Sequence, residues 1–299
     1  MPELRDVLVL LREVRDPRPP VRLEAGGSEV RETGLRRLVN PADLAALEVA
    51  LQLAARTGAA VTAVVAGDAR LDDTLRLALS MGATRAIRLW DEDGAMKDGD
   101  AAADATVLAR VLEVVRPGLF FTGHRLLDRG DDPTAALAAA RRGMPCASAA
   151  LACALSGAGL EILRKAAKGG RQRLTAPLPC AVLFDAIAAE PRYPDLPAVL
   201  AAMDAPLELW GVADLGLPAS ALGADGSLLR QGGLTGPRSD PLRVPTPDPT
   251  LPAHERVRAL FSGGIRQRAG KMRFGGADEA VERILQILAE EGLVPRSRA

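Results

Sequence analysis

The chain has 299 residues, 48% apolar and 25% charged, and its 38 basic and 38 acidic side chains cancel, which suits one large globular domain with appendages, or two domains, and leaves no electrostatic footprint for nucleic acid. With two histidines, His124 and His254, and no HExxH, GxSxG or Walker lysine loop, acid–base and triad chemistry have little to work with, so a binding or carrier protein is expected rather than an enzyme. Cys146, Cys153 and Cys180 fit neither a zinc site nor a disulfide framework, the start lacks the order of a signal peptide, and no apolar run nears the roughly 20 residues of a membrane span; a cytoplasmic protein without membrane insertion or metal is expected.

Residues 7–11 form a short apolar run that reads as a buried strand. Asn40 is placed as an N-cap, Pro41 at the first helical position and Gly58 at the stop, with Leu44, Leu47, Leu51 and Ala54 at helical spacing between them. Residues 59–66 read as a second strand ended by Gly67. A helix from Asp72 or Asp73 runs through Met81 to Gly82, and a third strand spans 86–90. A helix over 101–115 ends before Pro117, a strand covers 119–122, and another helix covers 133–142. This βαβα rhythm predicts an α/β fold: a mostly parallel, doubly wound, Rossmann-like sheet of the adenine-nucleotide-binding kind. Ligands in such folds sit beyond the carboxyl ends of the strands, so the site is expected after Leu11, at Ala66-Gly67, and from Gly123 onward.

From Met144 the pattern changes. Residues 147–155, 160–166, 171–175 and 181–185 read as successive strands joined by Gly157-Ala158-Gly159 and Gly169-Gly170 turns, an antiparallel extension of the sheet. Residues 1–210 thus form one α/β domain with a docking loop. A Gly/Pro-rich linker is expected over 211–264 and a C-terminal arm over 265–299. The arm's helix, 277–291, carries Val281, Ile284, Leu285 and Leu288 on one face, which packs either on its own domain or on a partner.

The stretch Ala189-Glu190-Pro191-Arg192-Tyr193-Pro194-Asp195-Leu196-Pro197 holds three prolines in seven residues and the protein's one tyrosine. Each proline fixes φ near −65° and extends its predecessor, so the stretch is either a stiff loop presenting Tyr193 and Leu196 or a turn before a helical segment at 198–203. Glu-Pro-Arg-Tyr-x-x-Leu-Pro resembles the docking-loop motif of the β subunit of electron transfer flavoprotein. The opening strand, Asn40-Pro41, Ala78-Leu79-Ser80-Met81-Gly82-Ala83, the loop from Gly123 to Thr134 and Arg268-Ala269-Gly270 with its final helix resemble the same family in the same order. The resemblance covers residues 1–210 and about 265–295.

The resemblance implies a heterodimeric electron carrier with FAD held mainly by an α subunit, a flavin-dependent dehydrogenase as electron donor, and AMP in the β-subunit cleft. Its cofactor positions fall here on Leu10, Asn40, Pro41, Ala42, Asp43, Ala66, Gly67, Gly123, His124, Arg125, Asp128, Arg129, Asp132 and Thr134. Its docking positions fall on Glu190, Pro191, Arg192, Tyr193 and Leu196. The sequence also departs from the family. Asp131-Asp132-Pro133 replaces small polar residues where a phosphate would lie. One aspartate about 5 Å from a phosphate costs roughly 3 kcal/mol at an effective dielectric near 20, unless Arg125 or Arg129 offsets it. Alternatively, Asp132 simply caps the next helix. Pro17 and Ala42 stand where an aromatic would meet the flavin. Ala166 and Lys168 replace acids in a hairpin, 163–173, whose five basic residues are either solvated or face an acidic partner. Lysines that follow the docking motif elsewhere are replaced by 198–204, Ala-Val-Leu-Ala-Ala-Met-Asp. A stand-alone adenine-nucleotide-binding module without a flavin role is the alternative reading.

Overall fold

The computed structural model describes residues 4–19, 30–31, 36–91, 100–157, 159–228, 247–261 and 276–290. They belong to two compact units, residues 1–236 and 237–299. The first unit runs β1 (Asp6–Leu10), β2 (Glu13–Arg15), β3 (Arg37–Val39), α1 (Pro41–Thr57), β4 (Ala60–Ala66), α2 (Asp72–Met81), β5 (Arg85–Leu89), α3 (Ala101–Val115) and β6 (Leu119–Gly123). It continues through β7 (Arg125–Leu126), β8 (Gly130–Asp131), α4 (Thr134–Arg141), β9 (Cys146–Ser156), β10 (Gly159–Lys165), β11 (Arg171–Ala176) and β12 (Cys180–Phe184). It ends with α5 (Leu196–Asp204), β13 (Glu208–Trp210), α6 (Val212–Leu215) and α7 (Gly223–Gly226). The second unit contains α8 (Ala253–Phe261) and α9 (Ala277–Glu290).

Nine strands form one sheet in the order β11-β10-β9-β12-β6-β1-β4-β5-β13. Pairing is parallel from β13 through β9, and the β9–β10 and β10–β11 pairings are antiparallel. The extension is therefore narrower than the sequence suggests: β12, expected within it, pairs parallel with both β6 and β9, and β9 is antiparallel only to β10. Alternation along β1 separates two cores. Val7, Val9 and Leu11 join α1 and α2 on one face, while Leu8 and Leu10 join α3 and α4 on the other. From β1 the chain steps outward to β4 and β5, then returns through α3 to place β6 on the opposite side of β1. That reversal is the switch point where ligand crevices form in such sheets.

Helix boundaries follow local chemistry. Pro41 opens α1, and Gly58 (φ 74°) and Gly82 (φ 119°) close α1 and α2 in the left-handed region that glycine enters without penalty. The sequence reading of 211 onward as linker differs from the structure over its first part. Val212, Leu215 and Leu222 are buried in the α3–α4 core, and the Leu215 carbonyl accepts from Arg110 Nε at 2.7 Å. Further along the expected linker, residues 253–261 form the helix α8; residues 229–246 and 262–264, like the Arg268-Ala269-Gly270 segment, lie outside the described residues.

Candidate functional site

Arg12 leaves the carboxyl end of β1 and organises the switch point, although nothing in its local sequence marks it. Its Nε and Nη2 donate to the two oxygens of Asp43 at 3.0 and 2.7 Å, and its backbone N–H donates to the same carboxylate at 2.9 Å. Asp43, in the first turn of α1, is fully buried and also accepts from Thr122 Oγ1 (3.0 Å) and the Gly123 N–H (2.6 Å). Arg12 Nη2 reaches the Gly123 carbonyl at 2.8 Å and Nη1 reaches Asp132 Oδ2 at 2.7 Å. Burial alone lowers the guanidinium pKa, but Asp43 and then Asp132 outweigh it, so the pKa of Arg12 is raised. Gly123 is required by this packing: a Cβ there would come within 2.5 Å of Ala42 Cβ and 2.6 Å of Asp43 Oδ1.

The loop after β6 is fixed by side chains. Asn40 occupies the N-cap position of α1, as the sequence suggests, but its side chain makes no capping hydrogen bond. Its Nδ2 donates to the Arg125 carbonyl (2.9 Å) and its Oδ1 accepts the Leu127 N–H (3.2 Å), pinning the turn between β7 and β8. Asp128 accepts the Arg15 N–H at 3.1 Å, and Arg125 pairs with the exposed Asp131 at 2.9 Å. Asp132 Oδ1 accepts the Thr134 N–H (3.0 Å) and hydroxyl (2.6 Å). Burial raises the Asp132 pKa, but Thr134 and Arg12 together pull it below its usual value. The charge on Asp132 is thus offset by Arg12, not by Arg125 or Arg129.

Beside this cluster, at the carboxyl ends of β1, β4 and β5, lies a cleft of about 430 Å³. Leu10, Ala66, Gly67, Arg129, Asp132 and Thr134 line it, as do Arg12, Trp90 and Asp104, which sequence reasoning missed. Asn40, Pro41, Ala42, Asp43, Gly123, His124, Arg125 and Asp128 do not line it. They form the frame behind it or face elsewhere. His124 Nε2 lies 3.2 Å from Asp185 Oδ2, an oxygen that also accepts Lys165 Nζ at 2.6 Å, so one hairpin lysine is bound internally. Arg164 of the same hairpin donates to the Ser148 carbonyl at 3.0 Å.

Asp104 projects from α3 into the cleft. Its pKa is raised to about 6, first by desolvation and then by Asp132 and Asp100, against the pull of Arg129, although part of the side chain is exposed to solvent. Between the ordinary 3.8 and about 6 the folded state therefore binds more protons at this site than the unfolded chain. Its contribution to stability accordingly falls as pH rises through that window. Asp104→Asn is expected to flatten this part of the profile, measured by thermal unfolding across those pH values. A profile as steep as that of the unmodified chain would show that Asp104 titrates normally.

The proline-rich stretch 189–197 is braced rather than loose. Arg192 grips Glu48 of α1 through its backbone N–H, Nε and Nη2 at 3.2, 2.8 and 2.9 Å. Asp195 accepts the Ala198 N–H at 2.8 Å, so Leu196 opens α5 instead of ending a loop. At the other end of α5, Arg76 Nη1 donates to the Ala202 and Met203 carbonyls at 2.7 and 2.5 Å. The outcome is a fixed outward row: Tyr193 is 96% exposed, Leu196 68%, Leu200 55% and Met203 59%. In α9, Val281, Ile284, Leu285 and Ile287 are likewise exposed. At the two positions where an aromatic would meet a flavin, Pro17 is exposed and Ala42 is buried against Gly123, so this chain offers no ring-stacking side chain at either. No group of three or more metal-ligating side chains, and no helix long and apolar enough to cross a membrane, occurs among the described residues.

A mostly parallel, doubly wound sheet with a cleft at its switch point and a braced, outward-facing apolar segment defines a doubly wound α/β protein. The profile of the electron transfer flavoprotein domain matches residues 29–215. Electron transfer flavoprotein subunit beta of Bradyrhizobium diazoefficiens is 33% identical over 218 residues, 72% of this chain and 85% of that protein. The subunit beta of Bacillus subtilis is 28% identical over 212 residues, 71% and 81% of the two chains. Protein FixA of Rhizobium meliloti is 32% identical over 217 residues, 71% and 74%. The chain belongs to the electron transfer flavoprotein family and is similar to its beta subunits.

Proposed function

We propose that this chain is the β-like subunit of a cytoplasmic, heterodimeric electron transfer flavoprotein. It takes electrons from a flavin-dependent dehydrogenase and passes them to the respiratory chain or another acceptor. FAD, which accepts and releases the electrons, is held mainly by the α partner, since Pro17 and Ala42 give the ring nothing to stack on. The chain's own work is mechanical. Glu48 and Arg192 hold the docking segment, Asp195 and Arg76 fix the two ends of α5, and Tyr193 and Leu196 meet the dehydrogenase. With no basic residue in α5, long-range steering towards an acidic partner is weak, so the association rate should vary little with salt.

One observation carries the two-subunit reading: α9 presents Val281, Ile284 and Leu285 on one exposed face, a stripe suited to a partner groove. Coexpression with an α-like chain is expected to give a yellow, stoichiometric complex. The double substitution Ile284→Glu, Leu285→Glu should weaken it at least about a hundredfold, since two buried charges cost more than the roughly 2.7 kcal/mol that factor represents. Copurification and the flavin absorbance read the result. A colourless chain that stays monomeric beside every α-like partner would instead favour the stand-alone nucleotide-binding module.

A further inference from the structure

We propose that Asp132 is a built-in anion: its carboxylate fills, from within the chain, the seat that a ligand phosphate would take at the switch point, and so makes the fold independent of bound nucleotide. Three donors converge on this one carboxylate. They are Arg12 Nη1 at 2.7 Å, the Thr134 hydroxyl at 2.6 Å and the Thr134 N–H at 3.0 Å, which opens α4. A guanidinium, a hydroxyl and a first-turn backbone N–H are the donor types that hold phosphate oxygens. The seat is also in the right place, on the wall of the cleft beside Leu10, Ala66 and Gly67.

The remaining charges of the cleft disfavour a second anion. Four of the five side-chain N–H groups of Arg12 are already held: Nε and both of Nη2 by Asp43 and the Gly123 carbonyl, and one of Nη1 by Asp132. Arg129 lies 3.6 Å from Asp128, and Arg70 lies 3.6 Å from Glu13. Five carboxylates, Glu13, Asp68, Asp100, Asp104 and Asp132, line the cleft against four guanidinium groups, Arg12, Arg37, Arg70 and Arg129, so an entering phosphate meets no excess of positive charge. Pro133 supplies no N–H at the turn.

The test needs neither the α partner nor the dehydrogenase, so it can fail while the carrier reading stands, and the reverse. In the full-length chain, Asp132→Ser keeps a short acceptor for the Thr134 N–H and leaves Nη1 of Arg12 open. Thermal unfolding is followed at matched ionic strength with inorganic phosphate, with AMP, and with neither. The unmodified chain should release no AMP on denaturation and show no shift with either compound. Asp132→Ser should melt lower and be raised again by both, by about 5–10 °C once the ligand exceeds its dissociation constant about a hundredfold. It should bind AMP at least about tenfold more tightly than the unmodified chain. A stronger response to AMP than to phosphate means the cleft also holds the nucleoside, an equal response means it holds the anion alone, and both uphold the proposal. If Asp132→Ser does not fold, Asp132→Asn, which keeps the volume and removes the charge, is expected to show the same gain in AMP affinity. Equimolar AMP in the unmodified chain, or folded variants that ignore both compounds, would overturn it.

Discussion

Asp43→Ala is expected to lower the unfolding free energy by about 3–5 kcal/mol, the range seen when one partner of a buried ion pair is removed. Asp43 is fully buried, so no water takes over its hydrogen bonds. The substitution strips Arg12 of its bidentate acceptor and leaves the Thr122 hydroxyl and the Gly123 N–H facing an apolar methyl. Arg12 keeps Asp132 and the Gly123 carbonyl, which limits the loss but cannot remove the cost of an under-paired buried charge. Asp43→Asn should fall between the two, since it retains an acceptor but sets an amide against the guanidinium. Urea unfolding of the full-length chain measures the difference. A change under about 1 kcal/mol, the value of an ordinary surface pair, would mean that the cluster is not a structural keystone.

Leu196→Ala is expected to slow electron transfer from the partner dehydrogenase about tenfold to a hundredfold. An apolar anchor entering a pocket contributes about 1.5–3 kcal/mol of burial, and each 1.4 kcal/mol is a decade. Stability should hardly move, because the side chain is 68% exposed and the helix is held by Asp195 and Arg76 rather than by Leu196. Leu200→Ala should reinforce the effect, since Leu196, Leu200 and Met203 follow helical i, i+4, i+7 spacing on the outer face of α5. Steady-state assays with the cognate dehydrogenase at subsaturating carrier decide it. An unchanged rate in both variants would make this segment a turn and a helix with no docking role.

The elements most legible in sequence were those with local signals. Proline at the start of α1 and glycine in the left-handed region after α1 and α2 fix boundaries through backbone sterics alone. The four strands at the centre of the sheet were legible as short apolar runs. β13 was not, because Glu208–Trp210 is too short to show a period and is defined by pairing with β5. Nor were α6 and α7, whose few apolar residues are scattered through a glycine- and proline-rich stretch and gain meaning only against α3. The Arg12 cluster was illegible for a different reason: Arg12 finds its partners 31, 111 and 120 residues away, and no local pattern encodes such convergence. Asp132 stands out in the sequence by its charge, yet its neutralising partner, Arg12, is 120 residues away.

The strand order also governs how the chain can mature as it leaves the ribosome. β1 lies inside the sheet, yet its second neighbour, β6, begins only at Leu119, and β12, which covers β6, begins at Cys180. Until those segments emerge, β1 and then β6 each present an open hydrogen-bonding edge flanked by apolar side chains, the template on which unfinished chains stick to one another. The fold is thus one of high contact order, assembled late and all together, and its vulnerable interval falls during synthesis rather than after it.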